Sequence, residues 1–322
     1  MLVKICRYYR YPDIKRQTPN QSFKWGEITF TEDEVDACDF LVTLDYPKTD
    51  VRVKVNPNNI LHLCLEPANE VSKYRQYANK KASVIYNQIN QGGKYVLAQP
   101  ALPWHLDKDY DYFKQLQPED LQKEDKIVWV TSNQRTSIQH NKRMDFLESI
   151  SDLPFVHLFG RGIKEVDSKW DVMKTSKYTI AYENFRNDFY WTEKISDCFL
   201  SYNVPLYFGC ERIEDYFPSE AIIQIDPQDK HIKQFLKETL NSKAYETRLE
   251  AIKEARTLVL DKYQMFPFIS NQITEILSKR EVNNAEKEMI HLKGGNAYYD
   301  NYPKSLEIQR LIRKIKHKLK NI

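Results

Sequence analysis

Short apolar runs alternate with polar segments through the first half of the chain. Leu2–Cys6, Phe40–Leu44, Ile60–Leu65 and Ser83–Tyr86 have the length of strands and are rich in Val, Ile, Leu or Tyr. Helical spacing between them is weak, apart from Glu70–Lys80. From His105 to Lys126 the chain is polar and acidic with no sustained apolar period, which predicts a linker or irregular connection between domains. The second half is more regular. Ile127–Thr131, Phe155–Phe159, Tyr178–Tyr182, Val204–Phe208 and Ala221–Ile225 read as strands, with helical spacing over Lys142–Ile150 and Glu193–Tyr202. Strand, helix, strand with short connections predicts a parallel sheet and hence an α/β fold. Long helices are expected over Ile232–Leu240, Ala244–Tyr263 and Pro267–Leu277.

The last twenty residues have a different pattern. Ile308, Leu311, Ile312, Ile315, Leu319 and Ile322 share one face at helical spacing, and Arg310, Arg313, Lys314, Lys316 and Lys320 lie opposite. An apolar stripe against a basic face suits the surface of an anionic membrane. A helix docked on the body or a coiled-coil seam fits the same spacing. Gly294-Gly295 and Tyr298–Pro303 read as a flexible joint before this tail.

Composition narrows the class. The 322 residues predict about two domains at roughly 150 each. Hydrophobic residues at 41% and charged residues at 29% exclude wholesale disorder. No apolar run approaches the roughly 20 residues of a spanning helix, and Lys4, Arg7 and Arg10 interrupt any signal-peptide pattern, so a cytoplasmic chain starting at Met1 is expected. The five cysteines form no CxxC pair, so reduced thiols are expected rather than a disulfide framework or a zinc site. The net charge of +3 conceals an asymmetry, since Pro303–Ile322 carries seven Lys/Arg against one Glu and the remainder sums to −3. Nucleic-acid enzymes usually spread positive charge over a groove on the body. An acidic body with a basic tail argues against a nucleic-acid partner.

Common catalytic signatures are absent: there is no G-x-G-x-x-G after a strand, no phosphate-loop lysine motif, no H-E-x-x-H and no G-x-S-x-G. Asp107, Asp109 and Asp111 alternate and could hold a metal–diphosphate. No strand leads into them, however, and a solvated loop is the simpler reading. His62 and His157 sit in apolar strands and read as core histidines. The remaining candidate is a polar cluster, Tyr182-Glu183-Asn184 followed by Phe189-Tyr190-Trp191-Thr192-Glu193-Lys194. Glu183 stands at the end of a predicted strand, and Glu193 and Lys194 open the next helix. Ligands of open parallel sheets bind beyond the carboxyl ends of strands, where helix N-termini face anions. An acid, a lysine and an aromatic there suit a nucleotide diphosphate; a capping box with ordinary surface charge fits equally well.

The run Tyr178-Thr-Ile-Ala-Tyr-Glu-Asn184, the ten-residue step from Glu183 to Glu193, Tyr190-Trp-Thr-Glu-Lys194 and Asn203-Val-Pro-Leu-Tyr-Phe-Gly209 together resemble the signature of the α1,3-fucosyltransferases, glycosyltransferase family 10. Ile127–Asn133, Phe159-Gly160-Arg161 and Ala221–Asp226 resemble flanking elements of the same nucleotide-binding half. In the first half the likeness rests on Leu65-Glu66-Pro67. The resemblance implies a GT-B architecture, with two Rossmann-like domains facing a cleft, here expected at 1–115 and 116–285 and followed by the tail at 286–322. It implies an inverting transfer of fucose from GDP-fucose to a glycan hydroxyl, with no obligatory metal. By the same resemblance Glu66 would be the general base, with Glu70 a near rival and an ordinary strand-end carboxylate the alternative reading, while Arg143 and Lys194 would bind the diphosphate. Glu193 would hold the ribose, and Asn133, Arg161, Asn184 and Tyr190 would line the donor pocket. Glu183 would either face the donor sugar or support the loop. The bulky Phe189 and Trp191 depart from the family pattern beside that pocket. The animal members' membrane anchor and luminal disulfides have no counterpart, so the likeness is to bacterial or viral members. A lipid-linked glycan such as a lipopolysaccharide antigen, at the inner membrane face, is then the expected acceptor. The rival readings are the same machine using another nucleotide sugar, and a non-catalytic sugar- or nucleotide-binding protein of the same fold.

Overall fold

The computed structural model describes residues 1–67, 80–135, 137–279 and 286–295, with Lys304, Ser305, Ile308, Gln309, Leu311, Ile312 and Ile315 of the tail. The helix expected over Glu70–Lys80 lies outside these residues, all but its last position. In chain order the first strands are β1 (Leu2–Arg7), β2 (Lys24–Trp25), β3 (Ile28–Thr31), β4 (Phe40–Leu44), β5 (Val51–Val55), β6 (Ile60–Leu63), β7 (Val84–Asn87) and β8 (Tyr95–Leu97). Next come α1 (Tyr110–Gln115), β9 (Glu124–Val130), α2 (Ile138–Ile150), β10 (Val156–Phe159), α3 (Lys169–Met173) and β11 (Ser176–Tyr182). The chain continues through α4 (Glu193–Leu200), β12 (Val204–Phe208), β13 (Ile223–Gln224), α5 (Ile232–Asn241) and α6 (Ala244–Leu258). It closes with α7 (Met265–Ser278) and β14 (Glu288–Leu292).

These elements form two compact units. The first holds a seven-stranded sheet of order β2-β3-β1-β4-β6-β7-β8, parallel except for β2 against β3. All five positions of β4 are buried, as expected of a parallel strand covered on both faces. The sequence-based boundaries need correction here. Helix α7, expected in the second domain, supplies Met265, Phe266, Ile269 and Ile273 to the core built by Val3, Ile5, Phe23, Phe30 and Val42. Phe266 meets Phe30 edge-on at 4.9 Å. The tail expected from residue 286 likewise begins as a strand. β14 pairs antiparallel with β5, setting Ile290 opposite Val53 and burying Leu292. Gly294 and Gly295 are no joint, because their amides donate to Asp50 Oδ1 and Lys48 O at 2.8 and 3.2 Å. Residues 296–303 lie outside the described set. The first unit thus takes its last elements from the far end of the chain. The described residues of the tail are helical, and Ile308, Leu311, Ile312 and Ile315 expose about half their surface.

The second unit holds a five-stranded, wholly parallel sheet of order β10-β9-β11-β12-β13. From β9 the chain crosses through α2 to β10 on one side, and from β11 through α4 to β12 on the other. The strand order therefore reverses between β9 and β11, the position at which open α/β sheets bind ligands. The loops at these strand ends are pressed together. Gly160 has φ of 114°, and a Cβ there would lie 1.9 Å from the Thr131 carbonyl oxygen. At Gly209 a Cβ would meet Tyr207 Oη at 2.4 Å and Glu183 Cγ at 2.5 Å.

The stretch His105–Lys126 is better ordered than its polarity suggests. It contains α1, buries Leu106, Phe113 and Leu116, and runs into β9 three residues before the expected strand. Its aspartates act separately: Asp107 accepts from Ser168 Oγ, Asp109 from Gln21 Nε2 and the Tyr112 amide, and Asp111 from the Asn20 amide. No group of ligands arranged for a metal occurs among the described residues. His62 is a satisfied core histidine, 2.7 Å from Thr43 Oγ1 and held down to about 3 by burial. His157 is not a core residue. It lies on the exposed side of the edge strand β10.

Candidate functional site

The second unit gathers most of the expected site at the carboxyl ends of β9, β10 and β11. Helix α2 starts where Ser137 Oγ accepts the His140 amide at 3.1 Å, and its buried face carries Met144, Phe146, Leu147 and Ile150. Arg143 occupies that same face. Its side chain passes back over the strand ends, where Nη1 donates to Asn184 Oδ1 at 2.8 Å and Nη2 to Ser132 O at 2.8 Å. Only 4% of the residue is exposed, Nε has no partner, and no carboxylate lies within ion-pairing distance among the described residues. Burial lowers its pKa from the usual arginine range, against a smaller opposing pull from Tyr182. A buried cation without a counter-charge is costly unless an anion completes it.

Helix α4 presents the second group. Thr192 caps it, its hydroxyl accepting from the Lys194 amide at 3.3 Å. Glu183, at the end of β11, is fully buried and accepts from the Thr192 amide and hydroxyl at 2.8 Å each. Lys194 Nζ lies 3.2 Å from Glu183 Oε2 and 3.3 Å from Glu193 Oε1. Burial pushes the Glu183 carboxyl up even against Lys194 and Thr192. Burial acts the same way on Glu193, but there Lys194, His105 and Lys169 outweigh it and hold the group well below the usual range. Lys194 is raised, because the two carboxylates overcome its own burial. Its charge is therefore shared locally, whereas that of Arg143 is not. Both Glu183 oxygens are engaged inside the fold, which favours support of the loop over contact with a sugar.

The loops around these groups are fixed by their own side chains. Asn187 Oδ1 accepts the Phe189 and Tyr190 amides at 2.9 and 2.7 Å, and the buried Tyr190 ring meets Phe185 edge-on. Trp191 turns inward onto Tyr216 and Phe217, so its bulk fills core. Asn133 ties the loops after β9 and β10 together, its amide donating to Arg161 O and its Nδ2 to Gly162 O, both at 3.1 Å. The Arg161 side chain is exposed.

Sequence reasoning missed two neighbours of Glu193. His105 Nδ1 lies 3.9 Å from Glu193 Oε1, and burial lowers the pKa of this histidine despite the carboxylates beside it. Lys169 bonds the fully buried Asp197, which also accepts the His105 amide at 3.0 Å. Nothing in the pattern of the chain links positions so far apart. A cavity of about 800 Å³ adjoins the cluster, between α2 and the ends of β11, β12 and β13, with Lys142, Phe146, Arg186, Phe208 and Asp226 in its wall. Of the expected site residues only Glu183 lines it. Lys194 and Lys169 instead line a recess of about 20 Å³ on the sheet.

Glu66 belongs to the first unit, just beyond β6, and is half-buried. Asp45, at the end of β4 with φ of 57°, accepts the Leu65 amide at 2.9 Å and the Glu66 amide at 3.4 Å. Tyr8 Oη donates to Glu66 Oε1 at 3.2 Å, its ring stacked on Tyr46 with 4.5 Å between centroids.

Two Rossmann-like α/β units with polar groups gathered at a strand-order reversal define the fold of the GT-B glycosyltransferases. A solved alpha-glucosyltransferase, in complex with UDP and a 13-mer DNA, shares this fold with a TM-score of 0.52 at 12% identity, over 86% of this chain and 99% of that one. Residues 121–259 match the model of "Glycosyltransferase family 10 (fucosyltransferase) C-term". Over 131 residues it is 27% identical to 4-galactosyl-N-acetylglucosaminide 3-alpha-L-fucosyltransferase 9 of Cricetulus griseus and of Homo sapiens. That match covers 38% of this chain and 36% of each relative, so it spans about a third of their length. A solved alpha1,3-fucosyltransferase with GDP aligns at 14% identity, over 87% of this chain and 91% of that one, with a TM-score of 0.49.

Proposed function

We propose that the protein is an inverting glycosyltransferase that moves fucose from GDP-fucose to a hydroxyl of a glycan acceptor. The observation that carries this reading is Arg143, a buried guanidinium without a carboxylate partner at the switch point of a family 10 domain. Arginine grips two phosphate oxygens at once, and a leaving diphosphate gains negative charge as the glycosidic bond breaks. In the proposed step the acceptor oxygen attacks the anomeric carbon from the face opposite GDP. The bond to the β-phosphate oxygen breaks with its electron pair, and the acceptor proton passes to Glu66. Arg143 and Lys194 stabilise the leaving group in place of an obligatory metal. Glu193 takes the ribose hydroxyls, and Asn133, Arg161, Asn184 and Tyr190 shape the donor pocket. The name of these relatives supports a 4-galactosyl-N-acetylglucosaminide type of acceptor, here within a surface polysaccharide or lipopolysaccharide.

The reading is tested by titrating GDP, GDP-fucose, GDP-mannose and UDP-sugars into the purified protein and following slow hydrolysis of whichever sugar nucleotide binds. Preference for GDP-fucose is expected. Binding of GDP without preference for fucose would move the donor to another sugar, and no nucleotide binding by a folded sample would end the transferase reading.

The tail completes the proposal. No described helix is long and apolar enough to cross a membrane. Ile308, Leu311, Ile312 and Ile315 are exposed, and the sequence interleaves them with lysines and arginines. Such a surface suits peripheral contact with an anionic leaflet on the cytoplasmic side. Truncation after Gly295 keeps β14 and is expected to leave turnover of soluble acceptors largely intact while lowering co-sedimentation with phosphatidylglycerol vesicles. Equal sedimentation by both forms would remove the membrane role.

A further inference from the structure

We propose that Tyr8 is a positioning residue for the general base, fixing Glu66 so that Oε2 is the oxygen that receives the acceptor proton. The inference rests on the reading of Glu66 as that base. Strand β1 ends at Arg7 and delivers Tyr8 beside the end of β6, a placement set by the parallel pairing of β1 and β6 on either side of β4. The Tyr8 ring is braced by its stack on Tyr46, which is 3% exposed, so the phenol has little freedom to swing away. Its hydroxyl meets Oε1 at 3.2 Å. The Glu66 backbone is held independently by Asp45, whose left-handed conformation lets one carboxylate oxygen take the Leu65 and Glu66 amides. The carboxylate is thus located by Asp45 and oriented by Tyr8.

Among the described residues, the titratable and charged groups at this corner include Arg7 and Tyr9 from β1 and the turn after it, Asp45 just after β4, Lys48, whose amide donates to Arg7 O at 3.2 Å, and Cys64 from the end of β6. Arg7 is occupied by Glu32 at 2.6 Å. Burial pushes the Tyr9 phenol and the Cys64 thiol upward, so neither charges near neutral pH. That leaves the Tyr8 phenol as the described side-chain donor on the carboxylate. A hydrogen bond donated to a carboxylate favours its ionised form, and a base must be ionised to accept a proton. Proton transfer also depends on which oxygen faces the hydroxyl and at what angle.

The test is Tyr8→Phe, which keeps the ring and its stack on Tyr46 and removes only the hydroxyl. The expected result is a fall in kcat of about tenfold with an unchanged KM for the sugar nucleotide. A variant with wild-type kcat would overturn the proposal. So would a loss of kcat matched by a comparable rise in the KM for the sugar nucleotide, because that is what a purely structural role produces. Glu66→Gln measured alongside separates the two claims. If it transfers normally, the assignment of the base itself fails; if it is inactive while Tyr8→Phe matches the wild type, only the role of Tyr8 fails.

Discussion

Arg143→Ala is expected to lose tight GDP binding and to lower kcat/KM by about 10²–10³, the effect of removing one preorganised donor from a developing anion. In the free protein this guanidinium is buried against carbonyls and an amide oxygen, with no described carboxylate to balance it. If Arg143 binds the diphosphate as proposed, that group supplies the missing charge, so nucleotide binding should also raise thermal stability markedly in the wild type. A ligand at one hundred times its Kd stabilises by about 2.7 kcal/mol. The variant should lose most of this gain. Arg143→Lys is the sharper control, since it keeps one positive charge but cannot span two oxygens, and it should recover only a small part of the affinity. Titration calorimetry with GDP, paired with thermal unfolding with and without nucleotide, reads both effects. Unaltered GDP affinity in a folded Arg143→Ala protein would remove this residue from the diphosphate site.

Glu66→Gln should reduce kcat by roughly 10²–10⁴ while GDP affinity stays within about twofold of the wild type. The side chain lies in the unit that does not carry Arg143 or Lys194, and its backbone is fixed by Asp45 rather than by its own carboxylate. The amide is close in shape, so the fold should persist and the loss should appear in the chemical step. Single-turnover transfer from pre-bound GDP-fucose to a saturating acceptor measures that step directly. Transfer at the wild-type rate would pass the role of base to another group.

What the sequence made legible follows from how far its signals reach. The strands of the second unit stand in short apolar runs, and the parallel sheet they predict is present with Tyr178–Tyr182 beside Val204–Phe208. Glu183, Thr192, Glu193 and Lys194 are close along the chain, so one strand, one loop and one cap bring them together. Groups supplied from elsewhere were harder to see. His105 sits in a stretch too polar to suggest order, yet the Asp197 carboxylate fixes its backbone beside Glu193. The partnership of Arg143 with Asn184 depends on two loops meeting at the switch point, which no local periodicity encodes. The apolar stripe of α7 was legible as a helix but not as part of the first core, because amphipathicity says that a face is buried and not against what. β14 was lost in the basic composition that follows it, being only five residues long.

The return of the chain to its first unit has a consequence for synthesis. Chains usually acquire structure from the amino terminus as they leave the ribosome. Here the first hundred residues emerge without Phe266, Ile269 and Ile273, which belong to the same core as Phe23 and Phe30. The segments of the second unit's sheet are complete once Gln224 is made, and the helices packed on it up to α6 once Leu258 is made. The second unit can therefore fold while the first still waits for its final helix and edge strand. Birth order and folding order run in opposite directions, and a nascent chain stalled before Leu292 would hold the complete sheet of the second unit and an incomplete first unit.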